Sequence, residues 1–159
     1  MALSTADLYD QHEGKVSVGL PGLRDFGGRS NFYGEVFTLK VFEDNSLVRR
    51  ALEQPGRGRV LVVDGGGSLN CALVGDMLAE LAVTSGWAGL IVHGCVRDSR
   101  ALGSIVLGIK ALATNPRKSV KKGQGEEGVE VTFGGLTYRP GLWVYGDEDG
   151  ILLSESPLH

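Results

Sequence analysis

Three polar residues stand out by type and spacing: Asp76 and, after twenty intervening residues, the pair Arg97 and Asp98. A guanidinium presents a fixed fork of donors suited to a carboxylate or an enolate oxygen. A carboxylate presents a hard oxygen to Mg²⁺ or Mn²⁺. Such a set suits a reaction that develops negative charge on oxygen. Each residue also has a plainer explanation. Asp76 can be a helix N-cap, where the macrodipole favours a carboxylate by about 0.3–1 kcal/mol. Arg97 and Asp98 can be a surface ion pair. The same helix start offers the backbone N–H groups of Gly75, Asp76, Met77 and Leu78, which can hold a carboxylate or phosphate of a small ligand.

Other constellations are weaker. Asp64-Gly65-Gly66-Gly67 follows a strand like a phosphate cradle, but it lacks the Walker lysine pair and the GxGxxG spacing, so a tight connection is expected. Arg117, Lys118, Lys121 and Lys122 could meet an anion, though a solvated loop is expected. Asp147-Glu148-Asp149 is too short for an EF-hand and reads as a hairpin turn. His12, His93 and His159 form no zinc spacing. No GxSxG elbow or Cys–His arrangement argues for covalent catalysis.

The elements that must position the three residues can be read from periodicity. Gly75 opens a helix over Asp76–Thr84 with Met77, Leu78, Leu81 and Ala82 on one face. Ser85-Gly86 stops it, and Ala88–His93 is a buried strand that leads into Arg97-Asp98. Arg59–Asp64 is a second continuous apolar strand, and Cys71–Val74 a shorter one. Upstream, Ala6–Gln11 forms a short helix capped by Ser4 or Thr5. Leu23–Ser30 is a loop, Gly34–Phe42 a strand, and Asp44 or Asn45 caps a helix carrying Leu47, Val48, Ala51 and Leu52 to Pro55-Gly56. Downstream, Ser104–Ala113 reads as a strand interrupted by Gly108, and Arg117–Gln124 as a surface loop. Val129–Phe133 and Leu136–Tyr138 flank a Gly134-Gly135 turn, and Leu142–Tyr145 and Gly150–Leu153 form a last hairpin. Helix–strand units first and hairpins last predict an α/β protein with mixed sheets.

The 159 residues, numbered 1–159, suit a single domain that buries roughly two-thirds of its unfolded surface without disulfide staples. Glycine, 25 of the 159 residues, is about twice its usual share and is scattered between apolar runs, which predicts tight turns and close backbone approaches. A net charge of −3 argues against direct nucleic-acid binding. Cys71 and Cys95 read as small buried hydrophobes of a reducing compartment. The sequence opens with no basic segment followed by an apolar core, and no apolar run approaches the ~20 residues of a membrane span. A cytoplasmic location without membrane contact is therefore expected.

The spacing of Asp76, Arg97 and Asp98 resembles the D-x20-R-D pattern of class II pyruvate aldolases that cleave 4-hydroxy-4-methyl-2-oxoglutarate. The wider sequence resembles the RraA family (regulator of ribonuclease activity A), through Phe26–Asn45, Gly56–Ser68 and Asp147–Ser154. The resemblance implies a swivelling β/β/α fold and a homotrimer, or a dimer of trimers, with sites near subunit contacts. It implies that Gly75, Asp76, Met77 and Leu78 form a loop receiving a pyruvate carboxylate, that Arg97 binds the oxygen that becomes the enolate, and that Asp98 ligates a divalent metal cation, Mg²⁺ or Mn²⁺. Cleavage of the small 2-oxo acid then gives two pyruvates through a pyruvate enolate. Because oxaloacetate yields the same enolate, a secondary decarboxylase activity follows. A water held by Asp76 is the expected proton acceptor. The alternative is a regulator that binds and inhibits ribonuclease E without catalysis. A menaquinone methyltransferase is not expected, because no glycine-rich methyl-donor motif follows a first strand.

Overall fold

The computed structural model describes residues 3–159. Helix α1 (Thr5–Gln11) is followed by strands β1 (Val16–Val18), β2 (Arg24–Asp25) and β3 (Phe32–Lys40). Helix α2 (Ser46–Leu52) leads to β4 (Val60–Asp64), β5 (Ala72–Val74), helix α3 (Asp76–Ser85) and β6 (Gly89–Val96). A one-turn helix α4 (Ser99–Leu102) precedes β7 (Gly108–Thr114) and β8 (Glu126–Glu127). Two hairpins close the chain: β9 (Val131–Phe133) with β10 (Leu136–Tyr138), and β11 (Trp143–Asp147) with β12 (Gly150–Ser154).

The main sheet runs β1-β12-β11-β3-β4-β6-β7-β2, with β5 also on β6 and β8 also on β3. Its centre is parallel (β3, β4, β6, β7) and its flanks are antiparallel. The centre is parallel because helices α2 and α3 carry the chain back between strands. β4 shows why both faces are dry. Leu61 and Val63 join the helix-side core with Leu52, Ala79 and Leu90, while Val60 and Val62 join Ile91, Phe133 and Tyr138 under the β9–β10 hairpin. The layers are therefore hairpin, sheet and helix, a mixed-sheet α/β fold of the β/β/α kind expected. A third cluster, Leu8 with Tyr145 and Leu152, seats α1.

The structure revises several element boundaries. Residues 104–107 are not strand: Ile105 and Leu107 donate back to Leu102 and Ile105 as successive turns after α4, and β7 begins only at Gly108. A Cβ at Gly108 would lie 2.2 Å from the Phe32 ring, and one at Gly89 2.5 Å from it, so two neighbouring strands are bare where this buried ring lies. β3 starts at Phe32, two residues before the expected Gly34, and ends at Lys40. The expected Leu23–Ser30 loop contains β2, which hydrogen-bonds to β7 through Arg24↔Ala111 and Asp25↔Lys110.

Candidate active site

Strand pairing creates the site. β5 and β6 run parallel, with Ala72 beside Cys95 and Val74 beside Val96. They end together, so the next residues, Gly75 and Arg97, become neighbours. The Arg97 N–H donates to the Val74 carbonyl at 2.9 Å, which extends the ladder by one step. There the chains part: one enters α3 with Gly75 as N-cap, the other turns sharply at Asp98.

Asp98 adopts the left-handed conformation, φ 59° and ψ 40°, which Asp tolerates better than most residues. The turn brings its carboxylate back over the start of α3, where Oδ2 accepts the Asp76 N–H at 3.1 Å. The helix is thus capped from a neighbouring strand. Asp76 is not the N-cap but the first helical residue. Of the four expected backbone donors, that of Asp76 is already engaged. The N–H groups of Met77 and Leu78 have no protein acceptor among the described residues, so the positive end of α3 stays open to an anion. Gly75 has extended φ and ψ that any residue adopts; what demands glycine is space. A Cβ there would lie 2.6 Å from Asp98 Oδ2 and 3.3 Å from Arg97 Cγ.

Arg97 and Asp98 do not form the plain surface ion pair. The salt bridges among the described residues join other partners. Among the described residues the Arg97 guanidinium reaches only the Pro116 carbonyl, at 3.5 Å, so its fork is free for a ligand.

Gly75, Asp76, Met77, Leu78, Arg97 and Asp98 line one wall of a cleft of about 170 Å³. The opposite wall carries residues that sequence reasoning did not single out for this site: Asn45, just before α2, Arg49 within it, and Lys118, Ser119 and Lys121 from the basic segment expected to be a solvated loop. Three cations there, with Arg97 on the first wall, share the cleft with two carboxylates. Asn45 donates to the Leu73 carbonyl, while its Oδ1 is buried without a partner. The signal in the sequence was the run Arg117–Lys122 itself; its destination was not visible.

Asp44 holds that second wall. Burial pushes its carboxyl up, but hydrogen bonds from the Ser46 side chain and backbone and from the Lys122 and Gln124 backbones outweigh this and bring it down to about 2. The remaining candidates lie elsewhere. In Asp64-Gly65-Gly66-Gly67 the Gly66 N–H is taken by Asp64, and those of Gly65 and Gly67 by the His93 carbonyl, so the turn is closed on itself and cradles no phosphate. The His93 ring stacks on Phe133 across the sheet from the cleft. Asp147 accepts from the Thr5 N–H at 2.8 Å and Oγ1 at 2.6 Å, tying down α1. Burial raises both cysteine thiols, with the Glu43 charge also raising Cys71, which disfavours a thiolate nucleophile. Among the described residues, no helix is long and apolar enough to cross a membrane.

The chain is similar over nearly its whole length to known proteins of one family and fold, whose names differ. A family model described as RraA-like, Aldolase/RraA, matches residues 5–153. Proteins from Aromatoleum aromaticum and Laribacter hongkongensis, both under the provisional name 4-hydroxy-4-methyl-2-oxoglutarate aldolase, are each 58% identical over 99% of both chains. Among solved structures, the RNA-processing inhibitor RraA from Thermus thermophilis superposes with a TM-score of 0.94 at 47% identity, covering 99% of this chain and 95% of that one. A protein from Geobacillus kaustophilus described as an S-adenosylmethionine:2-dimethylmenaquinone methyltransferase superposes with a TM-score of 0.96 at 46% identity, covering 98% and 97%.

Proposed function

The chain belongs to the RraA-like family, and on that footing we propose that it is a 4-hydroxy-4-methyl-2-oxoglutarate aldolase, a lyase that yields two pyruvates. The observation that carries this reading is the junction of β5 and β6. It sets an open helix N-terminus, a free guanidinium and a carboxylate around one small, cation-rich cleft. A short dianionic 2-oxo acid matches that charge.

The substrate's 1-carboxylate sits on the Met77 and Leu78 N–H groups at the start of α3. The 2-oxo oxygen faces Arg97. A water held by Asp76 takes the proton from the 4-hydroxyl. The C3–C4 bond breaks, C4 leaves as the carbonyl of one pyruvate, and the electron pair delocalises from C3 onto the 2-oxo oxygen. Arg97 stabilises that enolate oxygen with fixed positive charge. Protonation at C3 gives the second pyruvate. Oxaloacetate bound in the same way loses CO₂ to the same enolate, so decarboxylation is a side activity.

The donor set suits a loosely held divalent cation. Among the described residues no three His, Cys, Asp or Glu side chains gather into a cage. Mg²⁺ keeps most of its waters and takes one or two carboxylates together with substrate oxygens. Asp98 has one oxygen on the Asp76 N–H and the other free for that role. A cation there would supply a Lewis acid to the 2-oxo acid. We take the working unit to be a cytoplasmic homotrimer, or a dimer of trimers, of single-domain subunits. The exposure of Met77 and Val120 beside the cleft supports a subunit contact there.

A coupled pyruvate assay with Mg²⁺ tests the reading. Wild type should release pyruvate above the metal-only rate, and Asp98→Ala should lose most of that activity. Pyruvate release that is unchanged in Asp98→Ala refutes it. The name of the Thermus relative favours a second reading, inhibition of a ribonuclease. Saturable, metal-independent binding to ribonuclease E by both wild type and Asp98→Ala would support that instead.

A further inference from the structure

We propose that Asp44 is a positioning residue that assembles the cationic wall of the cleft and thereby sets affinity for the substrate's second carboxylate. The inference rests on the aldolase reading of the cleft. Asp44 follows β3 and is 1% exposed. Its Oδ1 accepts the Ser46 N–H at 2.9 Å and the Ser46 hydroxyl at 2.7 Å, which fixes the start of α2. Its Oδ2 accepts the Lys122 N–H at 2.8 Å and the Gln124 N–H at 3.2 Å. One carboxylate thus joins a helix start to a segment 78 residues away in the chain.

The segment is anchored at its start, where Asn115 donates to the Val96 and Leu69 carbonyls and the Arg117 carbonyl accepts the Ala72 N–H at 2.8 Å; beyond Lys118 it has little else to hold it. Residues 115–125 contain no strand, and isolated bridges tie Val120 to Asp44 and Lys118 to Ala72. The Asn45 N–H donates to Ser119 Oγ at 3.1 Å, and the Gly123 N–H to Ser46 Oγ at 3.1 Å. From Ser119 onward the bonds therefore converge on Asp44 and its immediate neighbours. What they bring together is Arg49 on one side and Lys118 and Lys121 on the other. None of these three cations has an ion-pair partner among the described residues. Like charges held together repel, so an untethered segment would swing its lysines toward water. A helix cap alone needs one oxygen; the second oxygen is spent on the segment that carries the lysines.

Once the helix start and Arg97 have taken the 2-oxo acid end, these cations are what remains to meet the other carboxylate. The test compares wild type with Asp44→Asn, whose amide cannot accept at both former oxygen positions. Pyruvate, with one carboxylate, and 2-oxoglutarate, with two, are titrated calorimetrically in Mg²⁺ buffer, and steady-state cleavage is measured in parallel. We expect the variant to bind 2-oxoglutarate about tenfold more weakly and pyruvate less than about threefold more weakly, as for loss of charged hydrogen-bond partners. KM for the cleavage substrate should rise to match, with kcat within about threefold, and the difference should narrow in high salt. A purely structural loss lowers the active fraction, so kcat falls with KM and both affinities unchanged; that result overturns the proposal. If Asp44→Asn does not fold, Ser46→Ala reads the same junction. A selective loss for 2-oxoglutarate of about threefold supports the proposal, and equal affinities overturn it. The two readings fail separately. Selective loss of 2-oxoglutarate in a chain that cleaves nothing refutes the aldolase and keeps the role of Asp44. Full cleavage without selective loss does the reverse.

Discussion

Replacing Gly75 with alanine tests the geometry of the site with a single methyl group. The backbone at Gly75, φ −129° and ψ −167°, is open to any L-residue, so the substitution carries no conformational penalty. By restricting the unfolded chain it should even stabilise by about 0.4–1 kcal/mol. The cost is local. The new Cβ would lie 2.6 Å from Asp98 Oδ2, about 0.8 Å inside an ordinary contact of 3.4 Å. Arg97 Cγ, at 3.3 Å, closes off another direction. The Asp98 carboxylate must therefore give way, and a shift of that size stretches its 3.1 Å bond to the Asp76 N–H past hydrogen-bonding range. A misplacement near 1 Å in a reacting constellation costs about 10²-fold. We therefore expect kcat/KM for pyruvate release to fall about 30- to 100-fold, or about 2–3 kcal/mol of transition-state stabilisation. The melting temperature should hold within a few degrees. The same methyl added to Asp98→Ala has no Oδ2 to displace, so its further effect should stay below about threefold, a coupling that a double-mutant cycle reads directly. A Gly75→Ala enzyme within about threefold of wild type, or equal losses in both backgrounds, would refute the argument that Asp98 is held in place for chemistry.

Two further outcomes follow from packing and charge. Phe32 is 3% exposed, with its ring against Gly89, Gly108 and Gly146; glycines cannot fill the space it leaves, so Phe32→Ala should lower stability in urea by about 3–5 kcal/mol. The Asp147 carboxyl is opposed by burial, but hydrogen bonds from Thr5, Asp149 and Gly150 outweigh this and hold it below the usual range, and Asp44 is brought to about 2. A folded-state pKa below the unfolded value gives stability that is present above the unfolded value and lost as pH falls through the folded one. Stability should therefore stay level down to about pH 5 and fall between about pH 4 and 2, with a shallower acid limb in Asp147→Asn when melts are followed against pH.

What the sequence made legible divides along the range of the forces involved. β4 and β6 could be read because a strand buried on both faces is a continuous apolar run, and α3 because its apolar positions repeat at helical spacing. β2 and β8, at two residues each, and the single turn of α4 are too short to carry a period; the two strands exist because Lys110 and Leu39 provide partners distant in the chain, and the turn closes locally when the Asp98 carbonyl accepts the Leu102 N–H. The site divides in the same way. Asp76, Arg97 and Asp98 announce themselves because they stand at element ends within one helix–strand unit. The cationic wall does not, because a basic run such as Arg117–Lys122 reads as solvated until something far away binds its backbone. That something is the Asp44 carboxylate, whose local signature is only that of a helix cap.

The placement of Asp98 bears on whether it serves the fold or the chemistry. As a cap for α3 it gains about 1 kcal/mol, while its left-handed backbone costs about as much. On balance it contributes little to stability. A serine or aspartate at position 75 would cap the helix locally without that backbone cost, yet no side chain fits there while Asp98 and Arg97 stand where they do. The fold thus forgoes the simpler cap and keeps a bare glycine between a helix start, a guanidinium and a carboxylate. Stability alone does not ask for that convergence, whereas an anionic substrate whose reaction places new charge on oxygen does. Gly75 is therefore as much a part of the site as the two charged residues it makes room for.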